Sequence, residues 1–563
     1  MAVVVIHLPL LLLRLPLKSY DTNFHILFAS QYAHHWFDPW NPKWYAGFSQ
    51  TTYPPLPQQW VALISHVIGL DMAYMAVQLA AMLLLAVGVY RFSLLWVSPR
   101  AASFAALGSA FLGSQSFLVY SAGQLGTTSA APIYLNALPF LYEWVRFGKG
   151  KSFLKAAVLC AAAAAAHHAT LLFGAVFFAV PVLILAFFDR EGGERVSTPA
   201  FVTRTVASVI VIGAAVVLVI LPFWIALVKY PVTQLPIPHA SRANYILSPF
   251  WGLNYFLVPW GALALALPFI FWRGSVVPRL RPLLFGFWLA FMIGLGGTTP
   301  VASIFLRRAF EVLTMERFSY WATLLALPIV GALAADLIDK YRLRAAAGLT
   351  ILAAVTCAVG VGWVTFRGAE GDFSVESSAA WLNRDGHDKY RYITLGFGDK
   401  IARLAAMTDA SSVDGEWNSG RMLPELTQHG AGALTSSKGF GTNGLDALRA
   451  MLMHADHYGL KWIFVRDPYY DALLSFAGWR PVDDLEDKTI IVWSKDGVPP
   501  ATPLNAAQIP PHWQGIMWGI LPFGSSLFAI LVILIPDKKR DLSETEDQLA
   551  TDNDNYVQGR LVS

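Results

Sequence analysis

The residues that could do chemistry in this sequence begin with Asp21 and His25, just after an apolar N-terminal segment. One helical turn separates them, so their side chains can share a face. A carboxylate here could accept a proton from a hydroxyl, bind a metal ion or cap a helix that begins at Thr22. The histidine could bind the same metal, share the proton or form a hydrogen bond, and the spacing alone does not decide between these roles.

An aromatic segment follows in the same polar loop and closes on Tyr53-Pro54-Pro55-Leu56. Aromatic side chains are common where a membrane meets water, because their rings are amphipathic. The loop can therefore be an ordinary interfacial loop or a polar site between membrane helices. Its aromatic members are Trp36, Trp40, Trp44 and Tyr45, and His34, His35 and Asp38 decorate it.

Two further polar groups lie at the ends of apolar segments. His167 and His168 follow six alanines, where polar side chains are costly unless they face a cavity or a partner. Only one of these adjacent residues can face a given site. Glu316 and Arg317 open a later apolar segment, and Arg308 precedes them. Arg317 could bind a phosphate through two hydrogen bonds or extend to the membrane surface without a ligand.

The composition indicates a membrane protein. Of 563 residues, 55% are hydrophobic and only 14% are charged, and the mean hydropathy is +0.49, whereas soluble domains carry about 25% charged residues. The net charge of +4 is small and does not indicate nucleic-acid binding. Cys160 and Cys357 both lie in apolar runs, so neither a disulfide framework nor a cysteine metal site is indicated.

Apolar runs close to the length of a membrane helix recur along the chain. They fall at about 1–17, 71–97, 101–120, 128–146, 152–168, 169–188, 200–227, 251–272, 283–297, 318–338, 345–365 and 513–536. We therefore predict about twelve spans. The first run lacks a small-residue cleavage site, so we read it as a retained, short helix and not a signal peptide. We predict that the segment from Leu56 to Gly69, with prolines at its start, is a helix lying in the outer interface.

The charges of the connections predict an orientation. Alternate connections hold eighteen lysines and arginines on one side and eight on the other, and the richer side of a membrane protein is cytoplasmic. This predicts a multi-pass protein of the cell membrane with both termini in the cytoplasm. The loop of Asp21, the His167-His168 pair and Arg317 then lie on the outer side.

The predicted fold is mainly α, a polytopic bundle of transmembrane helices with a small extracytoplasmic α/β domain before the last span. The bundle covers 1–366, with a first outer loop at 18–70, and the α/β domain covers 367–511. Strand-like runs at 390–395, 462–465 and 489–493, and a helical run at 445–458, indicate that domain. The last span is predicted at 512–536 and a disordered cytoplasmic tail at 537–563.

In combination, these motifs resemble the C-type (GT-C) membrane glycosyltransferases, which take a sugar from a polyprenyl-phosphate donor. The resemblance rests on Asp21 with His25, the loop Phe37-Asp-Pro-Trp-Asn-Pro-Lys-Trp44, Tyr53-Pro54-Pro55-Leu56, the histidines of the alanine-rich helix and Glu316-Arg317-Phe318. It covers about 15–340. Within the superfamily it is closest to bacterial and archaeal membrane proteins labelled as related to 6-pyruvoyl-tetrahydropterin synthase, a domain label that implies no pterin chemistry.

The resemblance implies a catalytic Asp21, assisted by His25, and a donor phosphate held by Arg317. It also implies a polyprenyl-phosphate-linked sugar donor, membrane lipid around the bundle, and a glycan, lipid or protein acceptor. Other residues are then candidates for holding the donor phosphate (Arg308, His167 and His168) or the substrate (Tyr53, Glu316, Trp44 and Trp417, the last in the loop from Gly415 to Gly420).

The chain departs from the family at one motif. Several members carry a second acidic motif for a divalent metal, but the corresponding loop here, Ser121-Ala-Gly-Gln-Leu-Gly-Thr-Thr-Ser129, has no carboxylate. This disfavours a metal-dependent mechanism and favours Asp21 as a base without metal. Two other functions stay open, a transporter or lipid flippase and a non-catalytic scaffold with the same fold. Replacement of Asp21 distinguishes an enzyme from a scaffold.

Overall fold

A computed structural model describes residues 1–190, 195–230, 239–367, 373–429, 432–504 and 508–534. The tail predicted at 537–563 lies outside the described residues. Helices of the first half are α1 (Ala2–Leu12), α2 (Thr22–His34), α3 (Leu56–Ile68), α4 (Leu70–Ser93), α5 (Pro99–Ser109), α6 (Gly113–Ser116), α7 (Leu125–Phe147), α8 (Gly150–Gly174), α9 (Val180–Phe188), α10 (Thr198–Val219), α11 (Leu221–Lys229), α12 (Pro249–Gly252), α13 (Val258–Trp260), α14 (Leu263–Val276) and α15 (Arg281–Gly294).

Among the described residues, the second half contains the remaining helices and four strands. Two short strands lie between α2 and α3. The helices are α16 (Val301–Leu306), α17 (Glu316–Tyr341), α18 (Leu343–Arg367), α19 (Glu376–Leu382), α20 (Lys400–Met407), α21 (Pro424–His429), α22 (Gly441–Met453), α23 (Ala455–Tyr458), α24 (Asp471–Phe476) and α25 (His512–Leu534). The strands are β1 (Trp40–Asn41), β2 (Phe48–Ser49), β3 (Arg391–Leu395), β4 (Leu460–Val465), β5 (Arg480–Leu485) and β6 (Ile490–Ser494).

Long apolar helices make this a multi-pass membrane protein. Within the described residues, seven helical stretches are long and apolar enough to cross a membrane, or eight if a bent pair at 249–276 is one span. Others of the predicted spans are shorter, such as α1 with 11 residues, or less apolar, such as α7. The count of twelve therefore stays a prediction.

The stretch Gly150–Phe188 is 39 residues long, about 58 Å if it were a straight helix. It is not straight, because the backbone leaves the helical conformation at His167 (φ −165°, ψ 99°). Asp189, directly after the stretch, accepts a hydrogen bond of 2.5 Å from Tyr142, which lies in α7 shortly before the stretch begins. The two ends are therefore on the same side, and the chain reverses at His167. Its two legs coincide with the runs predicted at 152–168 and 169–188.

The segment at 18–70, predicted as the first outer loop, consists mainly of short helices that are held against the bundle. Helix α3, at the place predicted for an interfacial helix, has 13 residues and ends at Gly69 (φ 77°) before α4 turns back along it. Helix α2 packs on α3 and on α20. Helix α20 belongs to the segment between α18 and α25, the predicted α/β domain, which is called the soluble region below. The residues from Asp21 to Gly69 thus lie between the membrane helices and the soluble region.

The soluble region is built on a four-stranded sheet in the order β3-β4-β6-β5, with β3 and β4 parallel and the other pairs antiparallel. Strands β3, β4 and β6 coincide closely with the predicted strand runs. Strand β5, which is largely exposed and begins Arg480-Pro481, has no alternating apolar pattern and was not predicted. Helices α19, α20 and α22 place apolar side chains against this sheet.

The soluble region is joined to the first outer loop by backbone hydrogen bonds. Ser412 donates from its N–H to the carbonyl of Lys43 (2.7 Å), and its own carbonyl accepts from the N–H of Ala46 (2.9 Å). A second connection is an ion pair in which Arg403 of α20 donates to both carboxylate oxygens of Asp71 at the start of α4 (2.7 and 3.2 Å). The soluble region therefore rests directly on the loop that carries Asp21.

Candidate active site

Asp21 lies at the start of α2, but its side chain does not cap that helix. Its N–H donates to the carbonyl of Ala122 (3.0 Å), which fixes it beside the loop between α6 and α7. Gly123 follows there with φ +72°, and a Cβ would lie 2.5 Å from the Ser19 hydroxyl oxygen and 2.6 Å from the Thr22 nitrogen. Only glycine can adopt this backbone conformation and leave room for Ser19 and Thr22. Asp21 is therefore held through its backbone, and its carboxylate does not serve as a helix cap.

Gln124, the next residue of that loop, connects it to α17. Its amide nitrogen donates to Glu316 Oε1 (2.9 Å), and its amide oxygen accepts from Arg317 Nε (2.7 Å). Gln124 and Glu316 are both buried. The side chain of Gln124 therefore holds both Glu316 and Arg317. Ala122, two positions earlier, holds the backbone of Asp21.

His25 is one turn beyond Asp21 on α2, and it is held by Gln58 of α3. The amide nitrogen of Gln58 donates to His25 Nδ1 (2.8 Å), so the ring carries its proton on Nε2. The ring of Tyr53 lies 5.8 Å from His25 and 6.4 Å from His167 between ring centres. Tyr53 therefore connects the first outer loop with the hairpin turn at His167.

The two adjacent histidines have different surroundings. His167 Nδ1 is 2.7 Å from the Thr170 hydroxyl oxygen. The His168 ring instead lies 4.3 Å from that of Phe223 in α11, and its Nδ1 has no hydrogen-bond partner among the described residues. His167 is thus the histidine that faces Tyr53, in line with the expectation that only one of the pair faces the site.

The soluble region closes the site through the loop around Trp417. The indole nitrogen of Trp417 donates to the Thr52 hydroxyl (2.8 Å), and its ring lies 5.1 Å from that of Tyr53, edge to face. Glu416 directly precedes this tryptophan, and Asp399 lies at the start of α20, which packs on α2. Two carboxyl groups of the soluble region therefore approach the one on Asp21.

Burial and neighbouring charges set the protonation states of the first outer loop. Burial raises the pKa of Asp21 to about 6, although the Arg317 guanidinium favours the charged carboxylate and limits the rise. Burial lowers the pKa of His25 to about 3, and the positive charge of Arg317 acts in the same direction. At neutral pH, Asp21 is therefore mostly ionised and His25 is neutral.

The carboxyl groups of the soluble region hold protons more tightly. Burial raises the pKa of Glu416 well above its usual range, and the negative charges of Asp399 and Asp21 add to this. The pKa of Asp399 is also raised, by burial and by Asp21. Since Arg317 acts on Asp21, Asp21 ionises first and its charge keeps protons on the other two. Neighbouring carboxyl groups that cannot all be charged at once behave in this way.

The structure does not bring every predicted residue into this site. Arg308 is exposed in a short helix at 307–311, outside the group of contacting side chains. Trp44 is fully buried and packs against Phe24 and Phe48, so it supports the loop and cannot touch a substrate. Both were candidates that followed from the family resemblance.

Sequence reasoning also missed residues that lie in the site. Gln124 lies in a loop without carboxylates, and an uncharged amide gives no signal of a site. Gln58 carries no motif of its own. Asp399 and Glu416 are far from Asp21 along the chain, and the only signal was that Glu416 adjoins the predicted Trp417.

A divalent metal, which the resemblance associates with some members of the superfamily, does not fit these side chains. Among the described residues, no group of three or more histidine, cysteine, aspartate or glutamate side chains is arranged to hold a metal ion. The loop that corresponds to the second acidic motif carries the amide of Gln124, which is already bonded to Glu316 and Arg317. A metal ion of this kind is held mainly by carboxylate oxygens.

No family model matches this chain, and no curated protein matches it. Solved structures do. ArnT from Cupriavidus metallidurans is 12% identical in its apo state, with a TM-score of 0.52 over 87% of this chain and 97% of that one. The same protein bound to undecaprenyl phosphate is 11% identical, with a TM-score of 0.51 over 89% and 99%. The Archaeoglobus fulgidus oligosaccharyltransferase is 12% identical, with a TM-score of 0.51 over 84% and 70%.

A variant of the mycobacterial arabinofuranosyltransferase AftD is 13% identical, with a TM-score of 0.51, and this chain spans 41% of its length. Identities this low show the fold alone. That fold is the GT-C fold of membrane glycosyltransferases. The narrower resemblance to membrane proteins related to 6-pyruvoyl-tetrahydropterin synthase finds no support in these structures.

Proposed function

We propose that this protein is a glycosyltransferase that moves a sugar from a polyprenyl-phosphate-linked donor to a hydroxyl group of an acceptor. The observation that carries the proposal is the convergence of Asp21 and Arg317. They lie far apart in the sequence, yet one loop binds both. The backbone of Ala122 binds the backbone of Asp21, and the side chain of Gln124 binds the side chain of Arg317. A base and a phosphate-binding cation held by the same loop are the two groups that this transfer needs.

In the proposed reaction, the acceptor oxygen attacks the anomeric carbon of the donor sugar. The bond between that carbon and the phosphate oxygen breaks, and its electron pair leaves with the polyprenyl phosphate. Asp21 takes the proton of the acceptor hydroxyl, as a general base. Arg317 stabilises the negative charge that develops on the departing phosphate oxygen.

Asp21 is better suited to the role of base than its neighbours. A base works best when its pKa lies near the working pH, and that of Asp21 is raised to about 6. His25, with a pKa of about 3, is too weak a base. Its Nε2–H can instead donate a hydrogen bond and orient Asp21 or the acceptor. Glu416 keeps its proton and can donate one to a sugar hydroxyl or to the acceptor.

Arg317 is suited to bind the donor phosphate. Gln124 occupies its Nε, and the two terminal nitrogens of a guanidinium provide further donors in a planar fork that matches phosphate oxygens. His167 lies at the hairpin turn beside Tyr53, where it can complete the sugar and phosphate pocket. Trp417 offers an aromatic face to a sugar ring.

The site is proposed to face the outside of the cell membrane. Helices α4 and α7 begin near the site and carry Arg91 and Arg146 in their last turns, and α17 begins at Glu316 and carries Lys340 in its last turn. The ends opposite the site thus carry the basic residues that favour the cytoplasm. The soluble region would then be extracytoplasmic.

The experiment that tests the proposal is release of polyprenyl phosphate from a radiolabelled polyprenyl-phosphate sugar by the purified protein in lipid nanodiscs. The wild type should consume the donor, and Asp21→Asn should consume it about 10²–10⁴-fold more slowly. Consumption of donor at equal rates by both proteins would overturn the proposed role. Retention of donor binding by a well-folded protein without any turnover would favour the scaffold.

A further inference from the structure

A second feature near the site is an apolar cavity in the membrane part of the bundle, which opens at the surface where Ala80 and Ile530 are exposed. Its volume is about 330 Å³, within the range of small-molecule sites. The walls come from five helices, α3, α4, α7, α8 and α25, and almost every lining atom is apolar. The lining residues are Leu56, Pro57, Trp60, Ile64, Ala76, Val77, Ala80, Ala81, Leu84, Ser129, Ile133, Leu159, Ala162, Ala166, Ser526, Ala529, Ile530 and Ile533.

One end of this cavity adjoins the candidate active site. Leu56 is three residues after Tyr53, and Ala166 directly precedes His167. Trp60 of α3 donates from its indole nitrogen to the Ser526 hydroxyl of α25 (3.1 Å), which joins the two helices beside the cavity. A hydrocarbon chain in this space would therefore have its polar end beside Tyr53 and His167.

The helix that carries Arg317 does not form any wall of the cavity. That helix, α17, packs mainly against α5 and α15. The second leg of the hairpin lies towards α17, since Phe173 contacts Phe318 (5.1 Å) and Trp321 (5.7 Å). The first leg, with Leu159 and Ala162, lines the cavity. A donor chain attached to a phosphate on Arg317 would leave on the α17 side.

We propose that this cavity holds a hydrocarbon chain of the acceptor, so that the acceptor is a membrane lipid with a hydroxyl group. The inference rests on the proposed glycosyl transfer and specifies the acceptor among glycan, lipid and protein. Two chains then approach one site from two sides, with the donor phosphate on Arg317 and the acceptor hydroxyl between Tyr53, His167 and Asp21. An apolar cavity among membrane helices selects for hydrocarbon, because a polar occupant would lose its hydrogen bonds there.

The test uses the full-length protein in nanodiscs with a diacylglycerol that carries a diazirine in one acyl chain. After illumination, the cross-linked residues are identified by mass spectrometry. We expect saturable labelling of α4 and α25 at the cavity, reduced by excess unlabelled diacylglycerol and unchanged by undecaprenyl phosphate. Competition by undecaprenyl phosphate would assign the cavity to the donor chain, and labelling that does not saturate would assign it to bulk lipid; either result overturns the inference.

Variants that fill the cavity provide a second readout. Ala80→Trp and Ile530→Trp place bulk on opposite walls, whereas Ile351→Trp, on the exposed face of α18, is the matched control. Each buried methylene changes an affinity by about fourfold, so loss of a few should lower labelling and transfer to the lipid by about 10-fold or more. Equal labelling of all three variants and the wild type would overturn the inference. Two filling variants guard against misfolding of one.

The two proposals fail in different ways. If Asp21→Asn consumes donor as fast as the wild type while the cavity is still labelled saturably, the proposed transfer fails. If donor is consumed in an Asp21-dependent manner but the cavity shows no saturable labelling, the transfer stands and the acceptor assignment fails.

Discussion

Replacement of Asp21 with asparagine tests the centre of the proposed mechanism. The substitution keeps the size of the side chain and removes its charge and its capacity to accept a proton. General base catalysis contributes about 10²–10⁴-fold, or about 3–5 kcal/mol of activation free energy. Transfer should fall by that factor. Donor binding should change much less, because Arg317 and Gln124 remain in place.

The raised pKa of Asp21 gives this prediction a second, quantitative part. A carboxylate with a pKa of about 6 is ionised to about nine tenths at pH 7 and to about one tenth at pH 5. In the wild type, kcat/KM should therefore rise about tenfold from pH 5 to pH 7 and then level off. The residual activity of Asp21→Asn should lack this rise, since the group that titrates has been removed.

The assay is initial rates of release of polyprenyl phosphate across pH 4.5–8 in nanodiscs. Asp38→Asn is the matched control, because Asp38 is an exposed carboxylate of the same loop whose Oδ1 accepts from the N–H of Trp40 (3.0 Å), a bond that asparagine can keep. The control should match the wild type. An Asp21→Asn protein that keeps both its rate and its acidic limb would refute the reasoning and make Glu416 the candidate base.

Other predictions follow from the same contacts. Arg317→Ala should weaken donor binding, with a loss of about 1.5–3 kcal/mol for a charged hydrogen bond, while the acidic limb set by Asp21 persists and shifts to higher pH, because a positive charge no longer favours the carboxylate. Glu416→Gln, which mimics the protonated acid, should keep most activity at pH 7, and a loss as large as that of Asp21→Asn would contradict the assigned protonation order. Arg403→Ala should expose α20 to faster amide hydrogen exchange, and a double-mutant cycle with Asp71→Ala should show coupling of about 1–3 kcal/mol; zero coupling would mean that the pair does not hold the soluble region. Treatment with EDTA should leave the rate within about twofold, since the side chains do not fit a metal ion, and full inactivation that Mn²⁺ reverses would contradict this.

Sequence reasoning found the part of the site where polar residues interrupt apolar surroundings. Asp21, His25, His167 and Arg317 stand out because a charge or an imidazole beside a membrane helix is costly unless it has a role. The hairpin at 150–188 was also predictable, since the apolar stretch is too long for one span. These predictions used local rules, and local rules suffice where the membrane restricts the possible structures.

The remainder of the site depends on tertiary contacts that no local rule contains. Trp44 and Trp417 are both tryptophans near polar residues, yet one is buried under the soluble region and the other faces Tyr53. The approach of Asp399 and Glu416 to Asp21 depends on how α20 packs on α2. Arg308 and Arg317 have the same side chain, and only the register of α17 places Arg317 against Gln124.

The glutamine at position 124 is compatible with the proposed mechanism, in which that loop needs no second acidic motif. A carboxylate there could accept from Arg317, but it could not donate to Glu316 and would repel it. The amide does both, at 2.7 and 2.9 Å, and adds no charge. Arg317 therefore keeps its positive charge available for an anionic donor. The same charge favours the ionised form of Asp21 near neutral pH, so in the proposed mechanism one guanidinium would serve both the leaving group and the base.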